Sequence, residues 1–359
     1  MTGNLDNSDA EPSSVSPICI AGMHRSGTSM VSRLLNLCGL YLGPDSELVL
    51  PASDNPEGFW ENVHFVELNE RILAQFDAGW DLPPTFSKDW ESRPEIIPLL
   101  TEAADLIHRF SAHEPWCWKD PRNSLTLPFW TRLIPDLKVV ICLRNPLEVA
   151  QSLHLRNFSS IAFGLRLWLE YYQLILSTVK PENRVVTHYD AYFYAPKAEL
   201  RRVVDLLNIP ASQKYVDGAR LIASANLRHQ IVPIEVLSSK LAPDILKCYL
   251  DLCEQAGPVY QASLGKNGHD SVLWQLDEQD RITHAQDDES FGSGQILRVA
   301  RRTQRVADLK ESLKAQADES NRSFASVNIP QAREEKINQL QDALSESQED
   351  HARLLPSAS

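Results

Sequence analysis

The chain has 359 residues, 43% hydrophobic and 8% aromatic, which is enough apolar material for one large α/β domain or two small ones. Its formal net charge of −13 argues against general nucleic-acid binding, although an acidic protein can still hold an anion in a local basic pocket. The cysteines Cys19, Cys38, Cys117, Cys142, Cys248 and Cys253 form no CxxC pair, so they read as small buried thiols rather than metal ligands or disulfide partners, in keeping with a reducing compartment.

Residues 1–16 are polar and acidic, with neither a basic start nor an apolar core, and read as a disordered tail rather than a signal peptide. No run of about 18 apolar residues occurs, so no membrane span is expected, and the missing export signal suggests cytoplasmic residence. "PICIAGM" then opens a short apolar strand, followed by a glycine turn and an amphipathic helix over 28–38. Further helical patterns cover 62–76 and 95–111. "PWCWKD" reads as a short strand and "KVVICLR" as a buried one, rich in β-branched residues. Helical patterns at 146–156 and 161–179 precede the strand "NRVVTHYD", and another covers 196–207. Strands alternating with helices predict a P-loop-like α/β fold, a parallel sheet flanked by helices on both faces.

The stretch 17–274 holds all eight tryptophans and reads as the globular domain. After it, 275–359 hold only two aromatics, Phe291 and Phe324. An acidic linker leads to Val299, Val306, Leu309 and Leu313 at coiled-coil-like spacing, then to a second short set at Ile337, Leu340 and Leu344. Two readings stand for this extension: helices that self-associate or bind a partner, and a charged, partly disordered tail.

The segment "GMHRSGTS" places Gly22 and Gly27 five apart, as in a Walker A loop, but Thr28 stands where the lysine belongs. The anion nest survives, because backbone N–H groups and the helix N-terminus do not depend on that lysine. A triphosphate with Mg²⁺ would be poorly held. Arg25 supplies a different cation, suited to the oxyanions of a tetrahedral group, and Ser26, Thr28 and Ser29 add hydroxyls.

"RSGTS" after an apolar strand resembles the 5′-phosphosulfate loop of sulfotransferases that use 3′-phosphoadenosine-5′-phosphosulfate (PAPS), and the arginine is similar to that of the tyrosylprotein and carbohydrate branches. The resemblance implies a second site for the 3′-phosphate, an arginine at a strand end with a serine eight residues on. "VVICLRNPLEVAQS" supplies Arg144 and Ser152 at that spacing. "NLRHQ" resembles a later basic segment of the family and adds Arg228 as a nucleotide contact. "GLRLWLEYYQLIL" and "NRVVTHYDAYFYAPKAELRRVVDLLNIP" resemble the family's long helix, strand, Tyr-Asp turn and closing helix. The resemblance spans about 17–232 and implies PAPS as co-substrate, with no metal, and a hydroxylated acceptor such as a carbohydrate.

Sulfuryl transfer to an alcohol asks for a base, cations on the moving group and a held leaving phosphate. "NPEGFWEN" offers the base at the distance from the loop where related enzymes carry a glutamate. Glu61 is preferred over Glu57, because it follows two aromatics and partial burial raises a carboxyl pKa, and because the family pattern N-P-x-G-aromatic-aromatic-E leaves the x position variable. His64, one helical turn away, is the further alternative. "WCWKDPRN" resembles the Lys-Asp-Pro of tyrosylprotein sulfotransferases, which makes Lys119 a cation for the transferring group, with Arg122 either orienting a ligand or paired to Asp120. His24 adjoins the loop and either faces the same group or only packs. Trp60, Trp80, Trp90 and Trp116 concentrate between the two motifs, as sugar-facing rings or as core. Two other readings compete: a divergent P-loop kinase or nucleotide-binding protein, which leaves Arg144 and Ser152 without a purpose, and an inactive nucleotide-binding scaffold.

Overall fold

The computed structural model describes residues 16–264 except 52–54, 56–57, 158, 220–231 and 233. The expected tail and C-terminal extension, Glu57 and Arg228 therefore lie outside the described residues. Four strands, β1 (Ile18–Ala21), β2 (Cys117–Lys119), β3 (Lys138–Leu143) and β4 (Arg184–His188), form one parallel sheet in the order β2-β1-β3-β4. Registers run Ile18 to Cys117, Ile18 to Lys138 and Val139 to Arg184, so the four carboxyl ends meet along one edge.

The helices α1 (Thr28–Leu37), α2 (Val63–Ala74) and α3 (Ile97–Ser111) lie between β1 and β2, as expected, and α4 (Asn123–Leu133) follows β2. Then come α5 (Pro146–Asn157) and α6 (Ile161–Thr178) before β4, and α7 (Ala191–Tyr194) and α8 (Pro196–Leu206) after it. Four more helices complete the described chain: α9 (Gln213–Ala219), α10 (Ile234–Lys240), α11 (Pro243–Gln255) and α12 (Pro258–Leu264). The sequence pattern marked none of α4, α7 and α9 to α12 as a separate element. In α4 the reason is Pro128, an interior proline that removes a backbone donor and costs about 3 kcal/mol. Burial of Leu125, Leu127, Phe129 and Trp130 offsets that cost, at about 1.5–3 kcal/mol for each apolar side chain.

The sheet is buried on both faces, as the unbroken apolar runs imply. Alternate residues divide the core. Cys19, Ala21, Trp118, Val139, Ile141 and Leu143 face a cluster built with α2, α4, α6 and α11. Ile18, Ile20, Cys117, Val140 and Cys142 face a second cluster with α1 and α8. Helix α1 turns Val31, Leu34 and Leu35 inward at helical spacing. All six cysteines are free thiols, five of them buried. Among the described residues no helix is long and apolar enough to cross a membrane.

Candidate functional site

A parallel sheet brings the residues that follow its strands to a common edge, where open α/β folds hold ligands. The residues after β1 form the loop. Gly22 (φ 142°), Arg25 (φ 70°) and Gly27 (φ 84°) all have positive φ, and Gly27 stands at the N-cap of α1 without a side-chain cap. The Ser26 N–H donates to Met23 O at 3.1 Å and the Gly22 N–H to Ser124 Oγ at 2.9 Å. The N–H groups of Gly27, Thr28 and Ser29 have no hydrogen-bond partner among the described residues. Free first-turn donors with the helix dipole behind them suit an anion. A Cβ on Gly27 would stand 2.5 Å from the Tyr189 ring, so glycine alone fits there. Ser26 and Thr28 are buried, and Ser26 Oγ lies 3.2 Å from the Tyr172 hydroxyl, which in turn donates to Cys142 O at 2.6 Å.

Arg144 follows β3 and is buried with its guanidinium 4.5 Å over the Tyr189 ring. Its Nη1 donates to Arg25 O at 3.2 Å, and Arg25 Nε donates to Ser152 Oγ on α5 at 2.8 Å. The two anion motifs read from the sequence thus meet at Arg25. Asn145 caps α5, its Oδ1 accepting from the Leu147 N–H at 3.0 Å, and so fixes the start of the helix that carries Ser152.

Lys119 ends β2 with a fully buried side chain. Its Nζ lies 2.6 Å from Glu61 Oε1 and 3.2 Å from Ser29 Oγ. Burial pushes the Glu61 carboxyl above the ordinary range, and Lys119 opposes that shift. The turn that delivers Glu61 is held firmly. Trp60 has a left-handed backbone (φ 57°), Arg33 of α1 lies 4.1 Å from the centre of its ring, and the Val49 N–H donates to Glu61 O at 2.8 Å. Behind Lys119, the buried Asn69 of α2 satisfies all four of its hydrogen-bonding positions. It donates to Asp120 and Asn123 and accepts from Thr126 and Trp130.

His24 sets its ring edge-on to Trp80 and Tyr171, at 5.2 and 6.3 Å. Its Nε2 is buried without a partner among the described residues. Burial first, then Arg122, Arg156, Lys119 and Arg25, hold the imidazole well below its ordinary pKa, so it is neutral. His64 instead faces Glu47 at 3.5 Å, and Arg122 is paired with Glu70 at 2.5 Å and Asp120 at 2.9 Å. Trp90 and Trp116 are core residues, whereas Trp60 and Trp80 are only partly buried, beside Glu61 and His24. Among the described residues no group of three or more His, Cys, Asp or Glu side chains converges to hold a metal ion. The sequence reading overlooked Asn69, Ser124, Glu148 and Tyr189. Glu148 had a signal to follow, its position one helical turn beyond Arg144, and Tyr189 lies in the Tyr-Asp turn that resembles the family's.

A model of the sulfotransferase family matches residues 17–213, more than half of the chain. Solved structures with similarity include sulfotransferase STF1 from Mycobacterium tuberculosis H37Rv, at 16% identity over 67% of this chain and 76% of that one, with a TM-score of 0.40. The sulfotransferase domain of the Synechococcus PCC 7002 olefin synthase matches at 16% identity over 68% and 96%, with a TM-score of 0.38. Retinol dehydratase in complex with androsterone and inactive cofactor PAP matches at 14% over 74% and 84%, with a TM-score of 0.29. No curated protein matches the chain. The assignment rests on the family match across the segment that carries all four strands and the anion loop: the chain belongs to the sulfotransferase family.

Proposed function

We propose that this protein transfers the sulfuryl group of PAPS to a hydroxyl of a carbohydrate or another small hydroxylated molecule. The observation that carries the reading is the junction at Arg25. Loop amides and a guanidinium at one strand end adjoin Arg144 and Ser152 at the next, with contacts of 2.8 and 3.2 Å. One nucleotide with phosphates at both ends of its ribose matches that pair of anion sites. The Arg25 guanidinium and the unpartnered amides of Gly27, Thr28 and Ser29 would take the 5′ side, while Arg144 and Ser152 would take the 3′-phosphate. Arg228 belongs to the same proposal by resemblance.

PAPS supplies an activated sulfuryl group whose leaving group is a phosphate oxygen. Glu61 would take the acceptor proton as the new oxygen–sulfur bond forms and the bond to the phosphate oxygen breaks. Its carboxylate is suited to this role by a raised pKa and a fixed backbone. Lys119, against both Glu61 and Ser29, would carry charge on the departing side. Glu57 and His64 remain the alternative bases.

Binding is tested by thermal shift with adenosine 3′,5′-bisphosphate and with ATP plus Mg²⁺. A hundredfold excess over the dissociation constant stabilises by about 2.7 kcal/mol. The proposal expects a shift with the bisphosphate; a shift with ATP and Mg²⁺ alone would return the kinase reading. Transfer of labelled sulfate from PAPS to a panel of glycans and small alcohols then tests turnover. Glu61→Ala is expected to keep the thermal shift and lose at least about a hundredfold in turnover. Retained turnover would move the base elsewhere.

A further inference from the structure

The interaction that fixes Arg144 is a buried carboxylate outside the set of reacting groups. Glu148 lies in the first turn of α5, four residues beyond Arg144, and its Oε2 accepts from Arg144 Nε at 2.8 Å. Its Oε1 accepts from the Val232 N–H at 3.0 Å, while Asn145 Nδ2 donates to Val232 O at 3.2 Å. Both oxygens are therefore engaged, and the side chain is only 1% exposed. A carboxylate held at both oxygens cannot swing, so it fixes the guanidinium bound to it. The Tyr189 ring lies against one face of that guanidinium, and Nη1 reaches Arg25 O. Nη2 has no protein partner among the described residues. The charged groups that face Glu148 are Arg144 at the end of β3 and Asp190 beyond β4.

We propose that Glu148 is the positioning residue for recognition of the 3′-phosphate: it holds the Nε edge of Arg144 and turns the opposite edge toward the anion site beside Ser152. This rests on the reading of the site given above and adds the residue through which it discriminates ligands. Arginine carries considerable rotamer freedom, and a guanidinium fixed before the ligand arrives does not lose that freedom on binding. The expected consequence is selective. Glu148 should matter for nucleotides that carry a 3′-phosphate and not for those with only a 5′-phosphate, which the loop after β1 holds.

The test compares the dissociation constants of adenosine 3′,5′-bisphosphate and adenosine 5′-phosphate by calorimetry, in the full chain and its variants. Glu148→Gln is expected to weaken the bisphosphate by about tenfold and to leave the monophosphate within about twofold. A Gln amide cannot accept from both Arg144 and Val232. Glu148→Asp keeps the buried charge paired but is one methylene too short to reach both partners, so it is expected to lose about threefold, again on the bisphosphate only. If Glu148→Gln does not fold, the aspartate variant decides alone. Equal losses on both ligands would make Glu148 a merely structural residue and overturn the proposal. So would an unchanged or tighter bisphosphate complex, which would show the carboxylate competing with the phosphate for Arg144. If the unmodified protein binds neither nucleotide, the reading of the site fails and this inference fails with it.

Discussion

At the scale of single residues, Gly27 and Lys119 are the most constrained. Gly27 combines φ of 84° with a ring carbon 2.5 Å from where a Cβ would stand. Gly27→Ala therefore meets backbone strain and a steric clash together. It is expected to destabilise by about 1–3 kcal/mol, measured by urea unfolding, and to displace Tyr189, the ring against Arg144. Lys119 presents a different balance. Its ion pair with Glu61 is removed from water at both ends, so deleting the cation strands a buried carboxylate. Lys119→Ala is expected to cost about 3 kcal/mol or more, and Lys119→Met with Glu61→Met much less, because no lone charge remains in the double variant. Equal losses in the two variants, measured by the same unfolding, would show that the pair contributes by packing alone.

At the scale of elements, the contact between α5 and α6 controls the second anion arm. Gly164 of α6 lies so close to α5 that an added Cβ would come within 2.9 Å of Ala150 Cα. Alanine is ordinarily the better helix residue by about 1 kcal/mol, but backbone is in the way here and cannot rotate aside. Gly164→Val is expected to separate the helices, lower stability by about 1–3 kcal/mol, and weaken bisphosphate binding through the shifted Ser152. Unfolding and calorimetry on one preparation check both effects. Helix α4 shows how an element can hide from a local reading. Pro128 looks like a terminator, yet Asn123 Nδ2 donates to Ile20 O at 3.1 Å and Ser124 Oγ accepts from Gly22 N–H at 2.9 Å. Its first turn is pinned to the end of β1 by partners about a hundred residues earlier.

At the scale of the whole molecule, burial at the sheet edge makes stability depend on pH in two opposite ways. His24 is held below its ordinary pKa, so the folded state binds fewer protons than the unfolded one as the ring titrates. Its contribution is present above about pH 6.5 and lost on acidification. Glu148 is pushed up to about 7, mainly by burial, so its contribution is complete below the ordinary carboxylate pKa and lost as pH rises through about 7. The melting-temperature advantage of the natural chain over His24→Gln should therefore shrink on acidification from about pH 7.5 to 5.5. Relative to Glu148→Gln it should shrink on going from about pH 5 to 8. Parallel curves for a variant and the natural chain would remove that group from the linkage.

The amino-acid sequence by itself determined the four strands, the principal helices to within about two residues at most ends, and the glycine loop with its missing lysine. It also placed Arg25 in the loop after the first strand, Arg144 at the end of a strand and Ser152 on the helix that follows it, because hydrophobic period and turn chemistry are local properties of a chain. The tertiary structure alone decided which of these residues touch. Lys119 meets Glu61 across 58 positions and Arg25 meets Ser152 across 127. His64 turns to Glu47, and a helix forms through Pro128. Those outcomes follow from strand order and from burial, and both are set by the packed whole rather than by any stretch short enough to carry a pattern.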